Sequence, residues 1–365
     1  MNEGMTEIPY LENIGIFLTY KCQVACPHCV VKSGPHRTEV MEEEDLFDWI
    51  SQAAAYCGRV RSINFTGGEP FYDLHLFRKM CRFAMSKGLF PTSVTNAYWA
   101  ETYDRAIQIL ESVPELLFLQ ISADEHHQMR IPFERVKNAV RAAQKLKLVH
   151  QVAVCTDNEE SPGYKGIVNP LLEIMDKKQI TTVITLPYGR ASFLKEKMAY
   201  RMSDIPPAGA CGGAATPVIF PDGKVVSCIG PVIDIKEDHP LLLGNLHNKS
   251  LKEILDSTET NAVLHFIRTW GPSKIYEMLK EDGYEAHLPD KFVEGNICML
   301  CRNLMAHPTL REGIAKRFDD NDLVEAVAYG RAHYLKEPEM VQRLGIAALS
   351  QREILSGNLN APPRG

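Results

Sequence analysis

Six short apolar segments, each followed by a stretch with helical periodicity, occur between residues 14 and 189 and constrain the fold more than any other feature of this chain. In the first helical stretch Leu46, Ile50 and Ala53 are spaced three or four positions apart, which places them on one face of a helix. Strands that alternate with helices form parallel sheets, because each helix carries the chain back to the same end of the sheet. Six units predict an α/β fold with a partial (β/α)6 barrel of the TIM type, short of the eight strands that close a barrel.

The predicted strand ends lie together on one side of the barrel, where the functional residues of such folds are found. The predicted strands cover residues 16–20, 62–66, 91–95, 118–122, 150–155 and 182–186. The predicted helices cover residues 43–56, 74–87, 103–111, 133–147 and 167–177. Beyond the barrel, helices are predicted at residues 322–334 and 338–355, followed by a disordered tail at 358–365.

The composition is that of a globular protein, with 45% hydrophobic and 24% charged residues over 365 positions. A net charge of -6 and a sequence pI of about 6.1 argue against a nucleic-acid substrate. No stretch is typical of a secretion signal or a membrane span, so we expect a cytoplasmic protein with no membrane partner. Ten cysteines in a reducing compartment favour metal ligation over disulfides, and seven of them fall into two groups.

The first cysteine group, Cys22, Cys26 and Cys29, has the spacing C-x3-C-x2-C and directly follows the first predicted strand. Three thiolates this close in a loop can wrap one metal centre, and around a four-iron cluster they leave one iron without a protein ligand. A zinc knuckle and a redox-active thiol pair are the alternatives. The third cysteine favours the cluster.

This loop resembles that of the radical S-adenosylmethionine (SAM) enzymes, which bind a [4Fe-4S] cluster. The resemblance implies that the open iron chelates the amino and carboxylate groups of SAM, and that one electron from the cluster splits SAM into methionine and a 5'-deoxyadenosyl radical. The resemblance also makes His28, which lies inside the loop, a candidate cofactor-binding residue.

The ends of the second, third and fourth strands carry the other SAM-binding candidates. The second strand ends in a run similar to the family's GGEP motif, which holds the SAM amino group; its residues are Gly67, Gly68, Glu69 and Pro70. Two glycines let the backbone approach a ligand closely, although a simple turn would look the same. Asn96 after the third strand, and Ser122 and Asp124 after the fourth, lie where the family contacts the SAM ribose and carboxylate. For Asn96, capping of the next helix is the alternative.

Asp124, His126 and His127 form a candidate catalytic acid/base group. A solvated helix start would give the same pattern. Arg190 lies in a turn that resembles the P-x-G-R-A turn closing the barrel of radical SAM enzymes with an additional cluster domain. It can pair with a carboxylate or stack on the adenine of SAM, and a structural salt bridge is the alternative.

The second cysteine group consists of two pairs. Cys211 and Cys228 flank two apolar runs joined by Asp222 and Gly223, a strong hairpin signal, and a C-x2-C pair follows at Cys298 and Cys301. Four thiolates suit zinc or a fully ligated [4Fe-4S] cluster equally. The spacing resembles the SPASM/twitch extension of radical SAM enzymes, and with four cysteines it is similar to the twitch form, which has one auxiliary cluster.

The predicted division of the chain is a radical SAM partial barrel at 1–191, a linker at 192–208, a twitch-like auxiliary domain at 209–305 and a C-terminal helical extension at 306–365. The three remaining cysteines, Cys57, Cys81 and Cys155, are expected to be buried as small hydrophobic residues.

The resemblance implies an enzyme that removes a substrate hydrogen atom, with an auxiliary cluster that accepts an electron. We expect a net two-electron oxidation, such as crosslinking in the maturation of a ribosomally made peptide (RiPP). The alternatives are a dehydrogenase or epimerase of a small molecule such as an amino sugar, and a zinc-stapled binding protein without turnover. Expected partners are an electron donor such as flavodoxin or ferredoxin and, since Cys22 comes early in the sequence, a separate peptide-recognition protein.

Overall fold

The computed structural model describes residues 10–56 and 58–337, and its centre is a nine-stranded sheet. Six consecutive parallel strands, β1 to β6, pair in chain order, as the partial barrel requires. The predicted fold is therefore confirmed. The eleven strands are β1 (Asn13–Phe17), β2 (Ser62–Thr66), β3 (Phe90–Thr95), β4 (Phe118–Ser122), β5 (Val149–Thr156), β6 (Ile180–Ile184), β7 (Met202–Ser203), β8 (Val218–Ile219), β9 (Lys224–Val226), β10 (Leu242–Asn245) and β11 (Phe292–Val293).

Helices connect the barrel strands and form the region after β10. Those of the barrel bury one face against the sheet; in α1, for example, Leu46, Trp49, Ile50 and Ala53 are buried. The twelve α-helices of the described residues are α1 (Glu43–Ala55), α2 (Leu74–Ser86), α3 (Tyr103–Glu111), α4 (Glu125–Gln128), α5 (Phe133–Lys145), α6 (Pro162–Leu172), α7 (Leu251–Glu259), α8 (Ala262–Thr269), α9 (Pro272–Glu281), α10 (Ile297–Ala306), α11 (Pro308–Arg317) and α12 (Asn321–Tyr334).

The hairpin of the second cysteine group is part of the barrel sheet. β8 pairs in parallel with β1, and β9 and β10 extend the sheet by antiparallel pairing. The turn has Gly223 at a φ of 76°, which confirms the predicted hairpin. The region predicted as a separate auxiliary domain therefore shares its sheet with the barrel.

Several predicted boundaries were wrong by two or more residues, including those of β6, predicted at 182–186 and observed at Ile180–Ile184. β1 begins three residues earlier than predicted, because the pairing with β2 places Asn13 opposite Ser62. The helix predicted at 167–177 is α6, which begins at Pro162 because Ser161 caps its first turn by accepting a hydrogen bond from the Tyr164 N–H. The predicted linker at 192–208 is partly regular structure: a 3-10 helix occupies Gly189–Lys197, and β7 pairs with β11.

The C-terminal helix α12 is joined to the rest of the fold by buried charges. Arg331 is fully buried and pairs with Glu259 at the end of α7 and with Glu337, which also pairs with Arg268 of α8. A buried guanidinium needs such partners, so this network fixes the position of α12. The helix predicted at 338–355, the tail at 358–365 and Cys57 lie outside the described residues. In the described part of the chain no helix is long and apolar enough to cross a membrane.

Candidate active site

The loop with the first three cysteines lies at the carboxyl end of β1. Cys22 and Cys26 are buried and Cys29 is half-buried. Backbone hydrogen bonds close the loop on itself, from the Cys22 N–H to the Gly34 carbonyl and from the Cys29 N–H to the Cys26 carbonyl. Burial raises the pKa of the Cys22 thiol to about 12. A metal centre that displaces the proton from such a thiol contributes to the stability of the loop.

Gly67 and Gly68 lie directly against this cysteine loop. A Cβ on Gly68 would be 2.2 Å from the carbonyl oxygen of Lys21, and one on Gly67 would be 2.6 Å from that of Thr19. The Gly68 N–H donates to the Thr19 carbonyl and the Glu69 N–H to the Lys21 carbonyl. The two glycines thus allow close contact between two backbone segments, whereas the sequence suggested close contact with a ligand.

Glu69 is a fully buried carboxylate held by three hydrogen bonds. Oε1 accepts from the Phe71 N–H and the Thr95 hydroxyl, and Oε2 accepts from the Asn96 N–H. Burial raises its pKa to about 7, although these hydrogen bonds oppose the shift. Oε2 retains acceptor capacity, so the site suits an ammonium group such as that predicted for SAM.

Asn96 links the end of β3 to the cysteine loop. Its Nδ2 donates to the Sγ of Cys22 at 3.4 Å, and its Oδ1 accepts from the Tyr98 N–H. The proposed capping of the next helix was wrong, because Thr102 caps α3. Hydrogen bonds to ligand sulfur atoms tune iron–sulfur centres, so Asn96 fits a cluster at Cys22.

Asp124 is completely buried at the end of β4 and is surrounded by histidines. Its Oδ2 lies 2.7 Å from Nδ1 of His127 and 3.5 Å from Nε2 of His28, and its Oδ1 accepts from the His127 N–H. Burial alone would raise the pKa of Asp124, but the two histidines hold it well below its usual range. Burial lowers the pKa of His28 to about 3. Asp124 therefore positions His127 and caps α4.

His127 lies between this carboxylate and the cysteine loop, with Cys26 on its other side. The ligand atoms of His28, Asp124 and His127 lie within 4.8 Å of one another, close enough for a single ion, although His127 and Asp124 already bond each other. His126 stacks on His28 with ring centroids 4.8 Å apart, and its buried Nδ1 has no hydrogen-bond partner among the described residues. Ser122 is half-buried as the last residue of β4.

Arg190, which follows β6, stabilises the cysteine loop by hydrogen bonds to its backbone. Its NH1 and NH2 groups donate to the carbonyls of Cys26 and Ser33 at 2.7 and 2.6 Å, and its backbone N–H donates to the Cys29 carbonyl. Within the described residues the Arg190 guanidinium bonds backbone carbonyls and forms no ion pair, so its pairing with a carboxylate of a ligand stays a prediction. Gly189, at a φ of 61°, packs against the backbone of Val30.

The second cysteine group is brought together by the hairpin and α10. Burial and the mutual proximity of Cys211, Cys228 and Cys298 raise the pKa of the Cys301 thiol well above its usual value. Four neighbouring thiolates suit either a zinc ion or a fully ligated [4Fe-4S] cluster.

The two cysteine groups are connected through Tyr188. Its hydroxyl donates to Oδ1 of Asn303 at 3.3 Å, and the Arg302 guanidinium lies 4.1 Å over its ring. Asn303 and Arg302 belong to α10, which carries Cys298 and Cys301. Tyr188 and Arg190 are two residues apart, so one short turn contacts both cysteine groups.

The sequence did not reveal the role of Cys155. Both Cys81 and Cys155 are predicted to be buried small hydrophobic residues; Cys81 is indeed fully buried in α2, but Cys155 is half-buried on β5, and its thiol lies beside the Asp124 carboxylate. The signal was its place at the carboxyl end of a barrel strand. The residues around both cysteine groups thus fit iron–sulfur clusters, and Glu69 fits the SAM ammonium; such groups would supply radical chemistry.

Comparisons with known proteins agree with this site. The family model of the radical SAM superfamily matches residues 16–159, and that of the SPASM iron-sulfur cluster-binding domain matches residues 211–284. YydG of Bacillus subtilis (strain 168), a protein named for peptide biosynthesis, is 22% identical over 304 residues, covering 81% of this chain and 92% of YydG.

Similar solved structures include three enzymes. One is anSMEcpe with AdoMet and the Kp18Cys peptide, at 16% identity and a TM-score of 0.45 over 67% of this chain and 80% of that one. BtrN with AdoMet and 2-DOIA has 13% identity and a TM-score of 0.42 over 72% and 89% of the two chains. Streptococcus suis SuiB has 12% identity and a TM-score of 0.40 over 68% of this chain and 65% of SuiB. From its two matching domains, this chain belongs to the radical SAM superfamily and is a radical SAM enzyme with an iron-sulfur cluster-binding SPASM domain.

Proposed function

We propose that this enzyme carries out a two-electron oxidation of a ribosomally made peptide, such as formation of a side-chain crosslink. The observation that supports the proposal is the second cysteine group, in which four cysteines lie together; in this proposal they supply every ligand of one cluster, and they are Cys211, Cys228, Cys298 and Cys301. A fully ligated cluster has no open iron for a substrate, so its use is electron transfer. The name of YydG supports a peptide as the substrate.

When bound, SAM and the two clusters supply the radical that removes a substrate hydrogen atom and the acceptor for the electron that the substrate then loses. The substrate also releases one proton, so the product lacks two hydrogens. In this proposal Glu69 holds the SAM ammonium, and Asn96 and His127 hold the cysteines of the first cluster. Tyr188 keeps α10, with two ligands of the second cluster, against the barrel.

His126 is the proton acceptor that we propose for the substrate. Asp124 and His127 are bonded to each other, whereas Nδ1 of His126 is without a hydrogen-bond partner among the described residues. An imidazole nitrogen with a vacant acceptor position suits proton transfer near neutral pH. Replacing His126 by Gln should lower product formation by about 100-fold while SAM cleavage continues.

A second candidate is epimerisation, which the position of Cys155 favours. Its thiol lies beside Asp124 at the carboxyl face of the barrel. A thiol there can return one hydrogen atom to a substrate carbon radical, and the sulfur radical then regains an electron from the auxiliary centre and a proton from solvent. The epimerised product has the same composition as the substrate, except that one of its hydrogen atoms comes from solvent.

Reconstitution of the enzyme without oxygen, with SAM and a peptide encoded beside its gene, separates the two candidates. Oxidation predicts a product lighter by two hydrogens, and epimerisation in heavy water predicts one incorporated deuterium. Replacing Cys155 by Ala should abolish only the second outcome, and Cys81 to Ala is the matched control because Cys81 lies in the core of α2. An unchanged peptide without deuterium would refute both candidates.

The number of clusters is a separate part of the proposal. Two [4Fe-4S] clusters require about eight irons per chain. Replacing Cys26 by Ala should abolish SAM cleavage and leave about four irons. Loss of all iron in this variant would mean that the seven cysteines are partitioned wrongly, and colourless protein with bound zinc would support the zinc-stapled alternative. Reduction by flavodoxin or ferredoxin, and capture of a separate peptide-recognition protein, test the proposed partners.

A further inference from the structure

The last strand of the barrel, β6, has an open edge. The nine-stranded sheet ends at β6, which pairs with β5 over five residue pairs, from Val152 and Ile180 to Thr156 and Ile184. Among the described residues, the backbone of Ile180–Ile184 makes one hydrogen bond beyond this pairing, from the Ile180 N–H to the Lys177 carbonyl at the start of the strand. Half of its amide and carbonyl groups therefore face outward, as on any edge strand.

This edge lacks the features that usually protect edge strands. Proteins block edges with charged residues, proline or a bulge, because an open edge pairs with other extended chains. All five residues of β6 are uncharged and β-branched, and Val183 is 43% exposed. Such a sequence favours pairing with one more strand.

The two faces of β6 differ. The Thr182 hydroxyl bonds the hydroxyl of Tyr164 on α6, so Thr182 faces the helix layer. Residues alternate between faces along a strand, so Thr181 and Val183 face the barrel interior. Val183 is paired with Cys155, whose thiol lies beside Asp124. A strand added to β6 would continue this alternation and direct every second side chain toward that interior.

Beyond the carboxyl end of β6 lies a cavity of about 280 Å³ in which four of the eight lining residues are acidic. Ile184 forms one wall, and Arg201 is its one cation, so a chain leaving this edge would pass close to negative charge. The acidic residues are Asp157, Glu159, Glu160 and Glu294. This charge favours a partner with a basic residue next to the extended segment.

We propose that an extended segment of the peptide substrate binds to the open edge of β6 as a seventh barrel strand. Backbone hydrogen bonds then provide affinity, and the alternation selects which side chains enter the interior. The inference rests on the proposed peptide substrate and adds how that peptide is held. The sheet's other end, β10, is a poorer site because its pairing has an irregularity between Leu242 and Gly244, and seven strands separate it from β6.

Backbone N-methylation of the peptide, one residue at a time, tests this arrangement directly. An edge strand uses only alternate N–H groups, so methylation should weaken binding about tenfold or more at every second position and little at the positions between. Binding of fluorescent peptides by anisotropy is the measurement. A peptide that is modified by the enzyme but shows no alternating pattern would overturn the edge proposal and leave the proposed function intact. If no peptide is bound or modified, both fail.

A protein variant gives an independent test. Val183 to Lys places a charge on the interior face of the edge and should weaken peptide binding about tenfold or more. Val149 to Lys is the matched control, because Val149 is also an exposed valine but lies at the opposite end of β5, and it should leave binding unchanged. Equal binding by both variants would overturn the proposal. A second outcome would also overturn it: the unaltered protein is a dimer, Val183 to Lys dissociates that dimer while Val149 to Lys does not, and peptide binding is unchanged. The edge of β6 would then pair two copies of the chain.

Discussion

Replacing Gly68 by Ala should displace the cysteine loop and stop SAM cleavage, because the new Cβ meets backbone atoms. It would lie 2.2 Å from the Lys21 carbonyl oxygen and 2.9 Å from that of Tyr20, whereas real Cβ contacts are essentially never under 3.0 Å. The Lys21 carbonyl must therefore retreat by at least about 0.8 Å. Lys21 directly precedes Cys22, so the shift reaches the first cluster ligand.

A misplacement of about 1 Å at a catalytic group costs about 100-fold in rate. We therefore expect 5'-deoxyadenosine formation by the reduced Gly68 to Ala variant to fall by about 100-fold. The assay is chromatography of 5'-deoxyadenosine, with the rate divided by the occupancy of the first cluster. The second cysteine group does not contact Gly68, so iron bound there should be unaffected.

The matched control is Gly166 to Ala in α6, where a Cβ meets nothing within 4 Å. In a helix this change stabilises by about 0.5 to 1 kcal/mol, and SAM cleavage should be unchanged. If the rate of SAM cleavage by the Gly68 to Ala variant is within threefold of that of the unaltered enzyme, close contact with the cysteine loop does not require glycine at this position, and the prediction is refuted.

Three further predictions follow from other contacts of the site and the fold. Arg190 to Gln removes two hydrogen bonds from the cysteine loop, and iron analysis should show selective loss of the first cluster; loss from the second group instead would contradict this. Thr95 to Val deprives Glu69 and the Trp99 indole of a partner, and calorimetry should show SAM binding weaker by about 1 to 3 kcal/mol; unchanged affinity would argue against Glu69 as the ammonium site. Arg331 to Met removes one buried cation from the network, while Arg59 still pairs with Glu259 and Arg268 with Glu337, so we expect a destabilisation of about 3 kcal/mol in denaturant unfolding, with exposed Arg78 to Met as the control; equal stability would mean that the network is not needed for folding.

The sequence was sufficient to predict the barrel, because the periodicity of apolar residues and the motifs at strand ends are both local signals. Six parallel strands and the positions of Cys22, Glu69 and Asp124 at strand ends were all predicted. The start of α6 was predictable from the sequence as well, because the N-cap residue Ser161 is a local signal that precedes the helix. Pairing of β8 with β1 was not predictable in this way, because it joins residues about 200 positions apart.

The chain by itself determined which chemical groups are available: seven cysteines in two groups, a carboxylate after a glycine pair, and histidines after β4. Only the tertiary structure decided what each of them contacts. It placed the Arg190 guanidinium on two loop carbonyls, the Asn96 amide on a cysteine sulfur and the Cys155 thiol beside Asp124, and within the described residues it left the outer edge of β6 unpaired. The physical reason is that side-chain partners depend on distances between separate loops, which no local pattern encodes, whereas strands and helices follow from the periodicity of neighbouring residues.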